Sequence, residues 1–424
     1  MTTTAFEDRL VSDPTGAAWT TPSEEFSYLT ALAAEYDTVA FDIAGYSVSG
    51  RPIYLVRVGH PVAPTRAEAM EKPCVLIAAS MHGEEPAPRD GCLTYIRTLA
   101  SATGEVAEYL EGVTWLFVPS QNPDGVVATS RQNANGVNLN SDHIKLTQPE
   151  TRALHRVIRD FKPEVVVDIH ESGSSNHVQY RGSIFDAVHP ALRSLGAHMC
   201  VNYMIPLANS LSWTHEYFGG GENPNILRNV AGLRGAVSFI IETGQGVVFT
   251  RADRLQNVVL MLPAMLDFCM DKQADISAAV ELAKIEKTAE GAAGVAEYRT
   301  PDLVIDPPPL GYSLTEQEVE ALAIQREIFQ FEMVAPGIVS MAQPLQPLIP
   351  CMVDAEINTL GIEGTRMFSG VPNPPLEDLT VTDGVPSVDC NESAGTVHFI
   401  TVAAGGPALM PEDVAQLIEY GVVV

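Results

Sequence analysis

Short, mostly apolar runs recur along this chain, each closed by a polar or turn-forming residue. They fall at 53–58, 74–80, 113–118, 164–169 and 236–241. Runs of this length, bounded by turn signals, predict strands, and the continuous run from 74 predicts a buried one. Helical segments fill the spaces: one opened by Pro86 and running to about 99, one at 150–161, and one from 253 to about 271. Proline suits a first helical turn, which supports the first of them. Strands alternating with helices predict an α/β fold, with a mixed, mostly parallel central sheet flanked by helices. Residues 1 to about 40 read as a helical or irregular lead-in.

The pattern changes near residue 280. The stretch 279–295 is rich in Ala, Glu and Lys and reads as a helix, and Pro301, Pro307, Pro308 and Pro309 then interrupt the chain. Prolines recur through Pro336, Pro344, Pro347, Pro350, Pro372, Pro374 and Pro375. Such density excludes long helices and central strands. A boundary is therefore expected at 280–300, dividing an α/β unit (1–285) from a smaller, Pro-rich β or irregular accessory module (286–424). A length of 424 residues agrees with two units.

Composition narrows the partners. Lys+Arg 25 against Asp+Glu 53 gives a net charge of −28. That argues against nucleic acid and anionic membranes, which require basic patches. The six cysteines are scattered without a Cys-x-x-Cys pair, the pattern of buried thiols in a reducing compartment. The N-terminus has neither a basic nor an apolar leader region. The longest apolar stretch, 258–270, is broken by Pro263 and Asp267 and is too short to span a bilayer. A cytoplasmic protein is expected, and no oligomeric state is specified.

Four reactive groups lie at or just beyond the ends of apolar runs: His82 and Glu85 after the 74–80 run, His170 after 164–169, and Glu242 after 236–241. Strand ends of a parallel sheet open into one crevice, where such folds place their chemistry. His82, Glu85 and His170 could hold a zinc ion and leave a position for water. Glu242 could serve as the base that takes the water's proton. Gly83 would allow an unusual backbone angle between the first two ligands. Each residue also has a plainer reading. His-x-x-Glu is common by chance, a single histidine after a strand is usually structural, and a strand-end glutamate is usually solvated or salt-bridged. The joint arrangement favours the metal. A polar loop adds to it: Asn122-Pro123-Asp124-Gly125, then Arg131 through Asn140. A guanidinium there could stabilise an oxyanion. Asp168 shares the strand face of His170 and could orient a ligand or form a salt bridge. His143, His155, His177 and His215 could also approach the site.

Taken together, these segments resemble the zinc carboxypeptidase family. His82-Gly83-Glu84-Glu85 matches its His-x-x-Glu pair. Asn122–Gly125 and Arg131–Asn140 match its loop signature, and His170 and Glu242 match the third ligand and the catalytic glutamate. The resemblance covers roughly residues 45 to 275, and Gly50-Arg51-Pro52-Ile53 is similar to the family's early strand. It implies one Zn2+ per chain, Glu242 as base, Arg131 as carbonyl polariser and Asn140 as a substrate contact. It offers Tyr217 as a counterpart of a mobile-loop tyrosine. The substrate implied is a peptide or an acylated amino acid.

Two positions depart from the family. Ser141 stands where a carboxylate-gripping arginine follows the asparagine, and a hydroxyl cannot form that charge-assisted clamp. Arg181, Arg228 or Arg234 could take over, or the substrate could lack a free α-carboxylate. Asn138 replaces an aspartate and would weaken support of a metal-bound histidine. The expected function is zinc-dependent hydrolysis of a peptide or amide bond. Its rivals are an amidase or deacylase acting on a modified small molecule or peptide, and a peptidase-like protein that binds without turnover.

Overall fold

A computed structural model describes residues 19–372, except 218–220, 222, 297, 301, 302 and 358. The start of the lead-in, Gly219 and Gly220, Cys390 and the final part of the C-terminal module lie outside the described residues.

Eight strands form the central sheet: β1 (Val39–Tyr46), β2 (Pro52–Val58), β3 (Cys74–Ala79), β4 (Thr114–Val118), β5 (Val165–Ser172), β6 (Val178–Gly182), β7 (His215–Tyr217) and β8 (Val237–Gly244). Their spatial order is β1-β2-β4-β3-β5-β8-β6-β7. The four strands β4, β3, β5 and β8 run parallel, while β2 joins β4, and β6 joins β8, antiparallel. The sheet is therefore mixed with a parallel centre. Every residue of β3 and β4 is buried, as expected of strands covered on both faces. Three strands were not evident from the apolar pattern. β1 has little burial contrast between its faces. β6 (Val-Gln-Tyr-Arg-Gly) and β7 (His-Glu-Tyr) are short and polar, and they lie at the other margin of the sheet.

The period of two within each strand divides the core. Val75, Ile77, Val165, Val167, Val237 and Phe239 pack with the helices Ala87–Ala100 and Arg251–Ala293. Leu76, Ala78, Leu116, Val118 and Val166 pack with the helix Pro149–Phe161. Gly91 permits the first two helices to meet, since a Cβ there would lie 2.4 Å from Val258 Cγ1.

The helix Arg251–Ala293 joins the two helical segments expected at 253–271 and 279–295 into one of 43 residues. A Thr250–Asp253 capping box starts it and a left-handed Gly294 ends it. It continues through Pro263, where Met261, Leu262, Met265 and Leu266 are buried on either side. Tertiary packing here outweighs the lost backbone bond.

This helix also runs through residue 285. Beyond it, Met333–Ala335, Ile338–Ser340, Gly311–Ser313 and Thr365–Met367 form a small antiparallel sheet, accompanied by short helices. Residues from both sides of position 285 share one hydrophobic cluster. Glu327 accepts from Arg156 at 2.9 Å, and Gln325 donates to the Lys145 carbonyl at 2.8 Å. The described C-terminal residues thus brace the helix that follows the signature loop. Among the described residues no helix is long and apolar enough to cross a membrane.

Candidate metal centre

Beyond Ala79 the chain turns sharply. Ser80 adopts a left-handed backbone (φ 48°), and its hydroxyl donates to the Glu85 carbonyl at 3.1 Å. The Asn-Pro-Asp-Gly segment clamps this turn. Asn122 donates from its backbone to the Ser80 carbonyl and from Nδ2 to the Met81 carbonyl, both at 3.1 Å. Its Oδ1 accepts from the Gly125 N–H at 2.9 Å. A Cβ on Gly83 would lie 1.9 Å from the Gly125 carbonyl carbon. Glycine is needed at 83 for this backbone-to-backbone approach, whereas the unusual backbone angle expected there is found at Ser80.

The turn and the end of β5 bring three donors together. His82, Glu85 and His170 are buried, and their donor atoms lie within 4.8 Å of one another. His82 Nδ1 is 2.7 Å from Glu85 Oε1 and 3.2 Å from His170 Nδ1, which is 3.0 Å from Glu85 Oε2. The far nitrogens explain this orientation. His82 Nε2 lies 3.0 Å from Asn138 Oδ1, an atom that can only accept. Nε2 therefore carries the proton and Nδ1 is the inward donor atom. Asn138 is itself oriented by the Asn140 N–H, which donates to the same oxygen at 3.0 Å. The substitution of asparagine for aspartate thus keeps the contact and removes the charge. His170 Nε2 lies 3.0 Å from Asp168 Oδ1. Such partners on the remote nitrogen fix ring orientation and ligand basicity.

Electrostatics agree with a cation site. Burial alone would lower the pKa of His170, but the charges of Asp168 and Glu85 raise it well above its ordinary value. Burial would raise the Glu85 carboxyl, yet His170 and His82 hold it well below the usual range. Two carboxylates around one imidazole make a place for positive charge. A proton or a divalent cation can fill it, and the nitrogen-plus-carboxylate set suits zinc.

The adjacent Glu171 anchors this arrangement, a role that sequence reasoning missed. Its N–H donates to Glu85 Oε2 at 3.1 Å, and its buried carboxylate accepts from Arg254 at 2.7 and 2.9 Å and from the Ala87 N–H at 3.0 Å. A strand-end glutamate next to a ligand, with an arginine one turn into a later helix, was the only available signal.

Glu242 on β8 is paired in register with His170 on β5, so their side chains share one face. Burial raises its pKa; His170 opposes this, while Glu85 and Asp168 add to it. Arg131 Nη1 lies 3.1 Å from Glu85 Oε1 and 3.6 Å from Glu84 Oε1, with its side chain 48% exposed. It stands at the solvent side of the cluster. Asn140 Oδ1 is buried without a hydrogen-bond partner among the described residues. Ser141 is exposed, and its hydroxyl donates to the Asn138 carbonyl at 3.0 Å. The Tyr217 ring is buried on β7, 4.4 Å from the Arg181 guanidinium.

The remaining histidines separate into two kinds. His177 stacks on Trp213 and bonds Thr214, and His215 meets the Tyr180 hydroxyl at 2.7 Å. His143 and His155 are fully buried and belong to a chain. Arg234 Nη1 is 3.0 Å from His155 Nδ1, and His155 Nε2 is 3.0 Å from His143 Nδ1. Arginine only donates, so His155 accepts at Nδ1 and donates from Nε2, and His143 carries its proton on Nε2. Burial lowers both pKa values, that of His143 to about 4. Phe329 from the C-terminal part closes the chain, 5.7 Å from the His155 ring and 5.3 Å from the Arg234 guanidinium.

Two outcomes follow from this geometry. Gly83→Ala forces the ligand turn away from Gly125, and overpacking of this kind costs about 1–3 kcal/mol; denaturant titration should read that loss, together with weaker zinc retention against a chelator. An unchanged midpoint and zinc affinity would show that the close approach is not tight. His143 protonates more readily unfolded than folded, so its neutral burial favours the fold fully above pH 6.5, and that contribution is lost as pH falls toward about 4. The stability of the wild type relative to His143→Gln should therefore shrink across that interval, and a pH-independent difference would refute the assignment.

Residues 26–184 match the profile of the zinc carboxypeptidase family. Carboxypeptidase 2 of Trichophyton rubrum is 24% identical over 283 residues, covering 60% of this chain and 53% of that protein. The chain spans about half the length of the curated relatives it matches. A metallo-carboxypeptidase from Burkholderia cenocepacia superimposes with a TM-score of 0.50 at 22% identity, over 58% of this chain and 68% of that one. Carboxypeptidase A from Helicoverpa armigera gives 0.51 at 18% identity, over 65% and 81%. These two likenesses establish the fold. All three metal donors and the Asn-Pro-Asp-Gly clamp fall inside the span, residues 26–184, that is similar to the zinc carboxypeptidase family.

Proposed function

We propose that this chain is a zinc-dependent hydrolase of peptide or amide bonds, of carboxypeptidase type, acting on a peptide or an acylated amino acid. The observation that carries this reading is the convergence of the His82, Glu85 and His170 donors beside Glu242 in register. One such donor cluster occurs among the described residues, which supports one ion per chain. Held there, a divalent cation supplies Lewis acidity toward a carbonyl and lowers the pKa of a water.

The chain's own groups do the rest. Glu242 accepts the proton of the attacking water and returns it to the departing amine. Its buried setting raises its pKa, as that double task needs. Arg131, at the solvent side beside Glu85, stabilises the oxyanion. Asn140 offers the substrate a buried oxygen, and Tyr217 and Ser141 complete the proposed contacts. Residues 1–285 are proposed as the catalytic unit and 286–424 as an accessory module, supported by the brace from Glu327 and Phe329. A cytoplasmic setting belongs to the same proposal, supported by the five described cysteines, which are buried free thiols.

A second reading is hydrolysis of an amide in a substrate without a free C-terminus. Ser141 favours it, since its hydroxyl is turned back to the Asn138 carbonyl where the family has a cation.

Glu242→Gln is expected to retain zinc and lose about 10²–10⁴ in kcat, the range of a general base. Activity equal to wild type would remove Glu242 from the mechanism. His82→Ala is expected to lose zinc by elemental analysis of the purified protein; a stoichiometric ion in that variant would count against this ligand set.

A further inference from the structure

The seven-residue helix Ala323–Phe329 lies outside the span 26–184 that is similar to the zinc carboxypeptidase family. Its side chains nevertheless reach the segment that follows the signature loop. Glu327 accepts from Arg156 at 2.9 and 3.2 Å and from Arg159 Nη1 at 3.2 Å. Phe329 lies edge-on to the His155 ring. These contacts seat it along the helix Pro149–Phe161. Gln325 reaches further, to the turn before that helix. Its Nε2 donates to the Lys145 carbonyl at 2.8 Å and to the Ile144 carbonyl at 3.3 Å. Its Oε1 is buried with no hydrogen-bond partner among the described residues. An unpaired buried acceptor is costly, so the two carbonyls set the orientation of this amide.

The turn held by Gln325 runs back to the substrate side through successive backbone bonds. The Leu146 N–H donates to the Asp142 carbonyl at 2.7 Å, the Asp142 N–H to the Leu139 carbonyl at 2.9 Å, and the Ser141 N–H to the Asn138 carbonyl at 3.2 Å. The Asp142 carboxylate accepts from the Thr147 and Gln148 N–H groups at 3.0 and 2.9 Å, closing the coil onto the helix. Asn140 stands near one end of this coil and Gln325 grips the other. Asn140 Oδ1 is buried without a partner among the described residues, so the backbone beneath it decides where that oxygen lies. A displacement of about 1 Å in such a group is enough to spoil substrate alignment. The turn bearing His82 and Glu85 is clamped separately, by Asn122.

We propose that Gln325 is a positioning residue: it fixes the turn 142–146 and, through it, the place of Asn140. The C-terminal part of the chain thereby sets affinity for the substrate and leaves the metal donors alone. The role of Asn140 in this proposal rests on the hydrolase reading above.

The test uses the zinc-loaded full chain and N-acetyl-Ala-Phe, as free acid and as amide, so that both substrate readings are covered. Gln325→Met removes the donor and the unpaired acceptor together at similar volume. It is expected to raise KM for the cleaved peptide about three- to tenfold, the scale of a neutral hydrogen bond, with kcat within about twofold. Zinc content should stay at the wild-type level. Hydrogen exchange should quicken at the backbone amides of 139–148 and not in β3 or β5. In an Asn140→Ala background the effect of Gln325→Met on KM should vanish, since a residue acting through Asn140 then has nothing left to place. KM changes that simply multiply in the double variant would overturn the proposal. So would wild-type KM and exchange in Gln325→Met, or loss of zinc from it. Should the Met variant fail to fold, Gln325→Asn, with its donor one methylene short, enters the same cycle. If neither peptide is cleaved, the hydrolase reading falls, and their dissociation constants by calorimetry replace KM in the cycle. A chain that neither cleaves nor binds them overturns both.

Discussion

Glu85 and Asp168 are buried on opposite nitrogens of the His170 ring, and that placement of negative charge governs the rest of the site. Carboxylates out of water are tolerated only when paired or hydrogen-bonded. Here a positive charge must sit between or beside them. The sheet supplies the frame: β3 ends at the turn bearing His82 and Glu85, β5 delivers Asp168 and His170 on one face, and β8 sets Glu242 alongside. Donor orientation then comes from partners outside the cluster. Asn138 reads the far side of one imidazole and Asp168 that of the other, so both rings turn the same nitrogen inward.

The frame is held by ties that cross elements distant in the chain. Glu171 joins the Glu85 carboxylate, the first turn of the helix Ala87–Ala100 and Arg254 of the long helix. Asp124 accepts from the Ser49 N–H at 2.9 Å and faces Arg51 at 3.2 Å, linking the Asn-Pro-Asp-Gly clamp to the approach of β2. The signature loop is tied to the helix that follows it through Asn133, which donates to Gln148 at 2.8 Å and Glu150 at 3.1 Å. Thus the polar loop segments serve as structural staples for the site as well as lining it.

The parallel strands were legible in the sequence because burial on both faces leaves a mostly apolar run, and the metal donors because they stand at the ends of those runs. β1, β6 and β7 were not legible, since their short or mixed composition carries no clear period. The continuity of the helix Arg251–Ala293 was hidden by Pro263, whose local penalty is outweighed by packing that only the tertiary structure reveals. His82, Glu85, His170 and Asp168 could be read from spacing. The roles of Glu171, His143 and His155 depend on what lies across from them in space, and a one-dimensional pattern cannot report that. Gly83 is the instructive case: its identity was correctly judged significant, but the cause is a neighbouring backbone and not its own dihedral angle.

The histidine string behind the site has a consequence for proton traffic. Relay along imidazoles requires each ring to take a proton on one nitrogen and release another from the opposite side, and then to flip. Arg234 holds the outer end as a permanent donor, so it cannot receive what such a relay would deliver. Both rings are fully buried, and Phe329 lies edge-on to His155 at 5.7 Å. The string thus ends at a group that only donates, and the side of the centre that meets solvent is the one carrying Arg131.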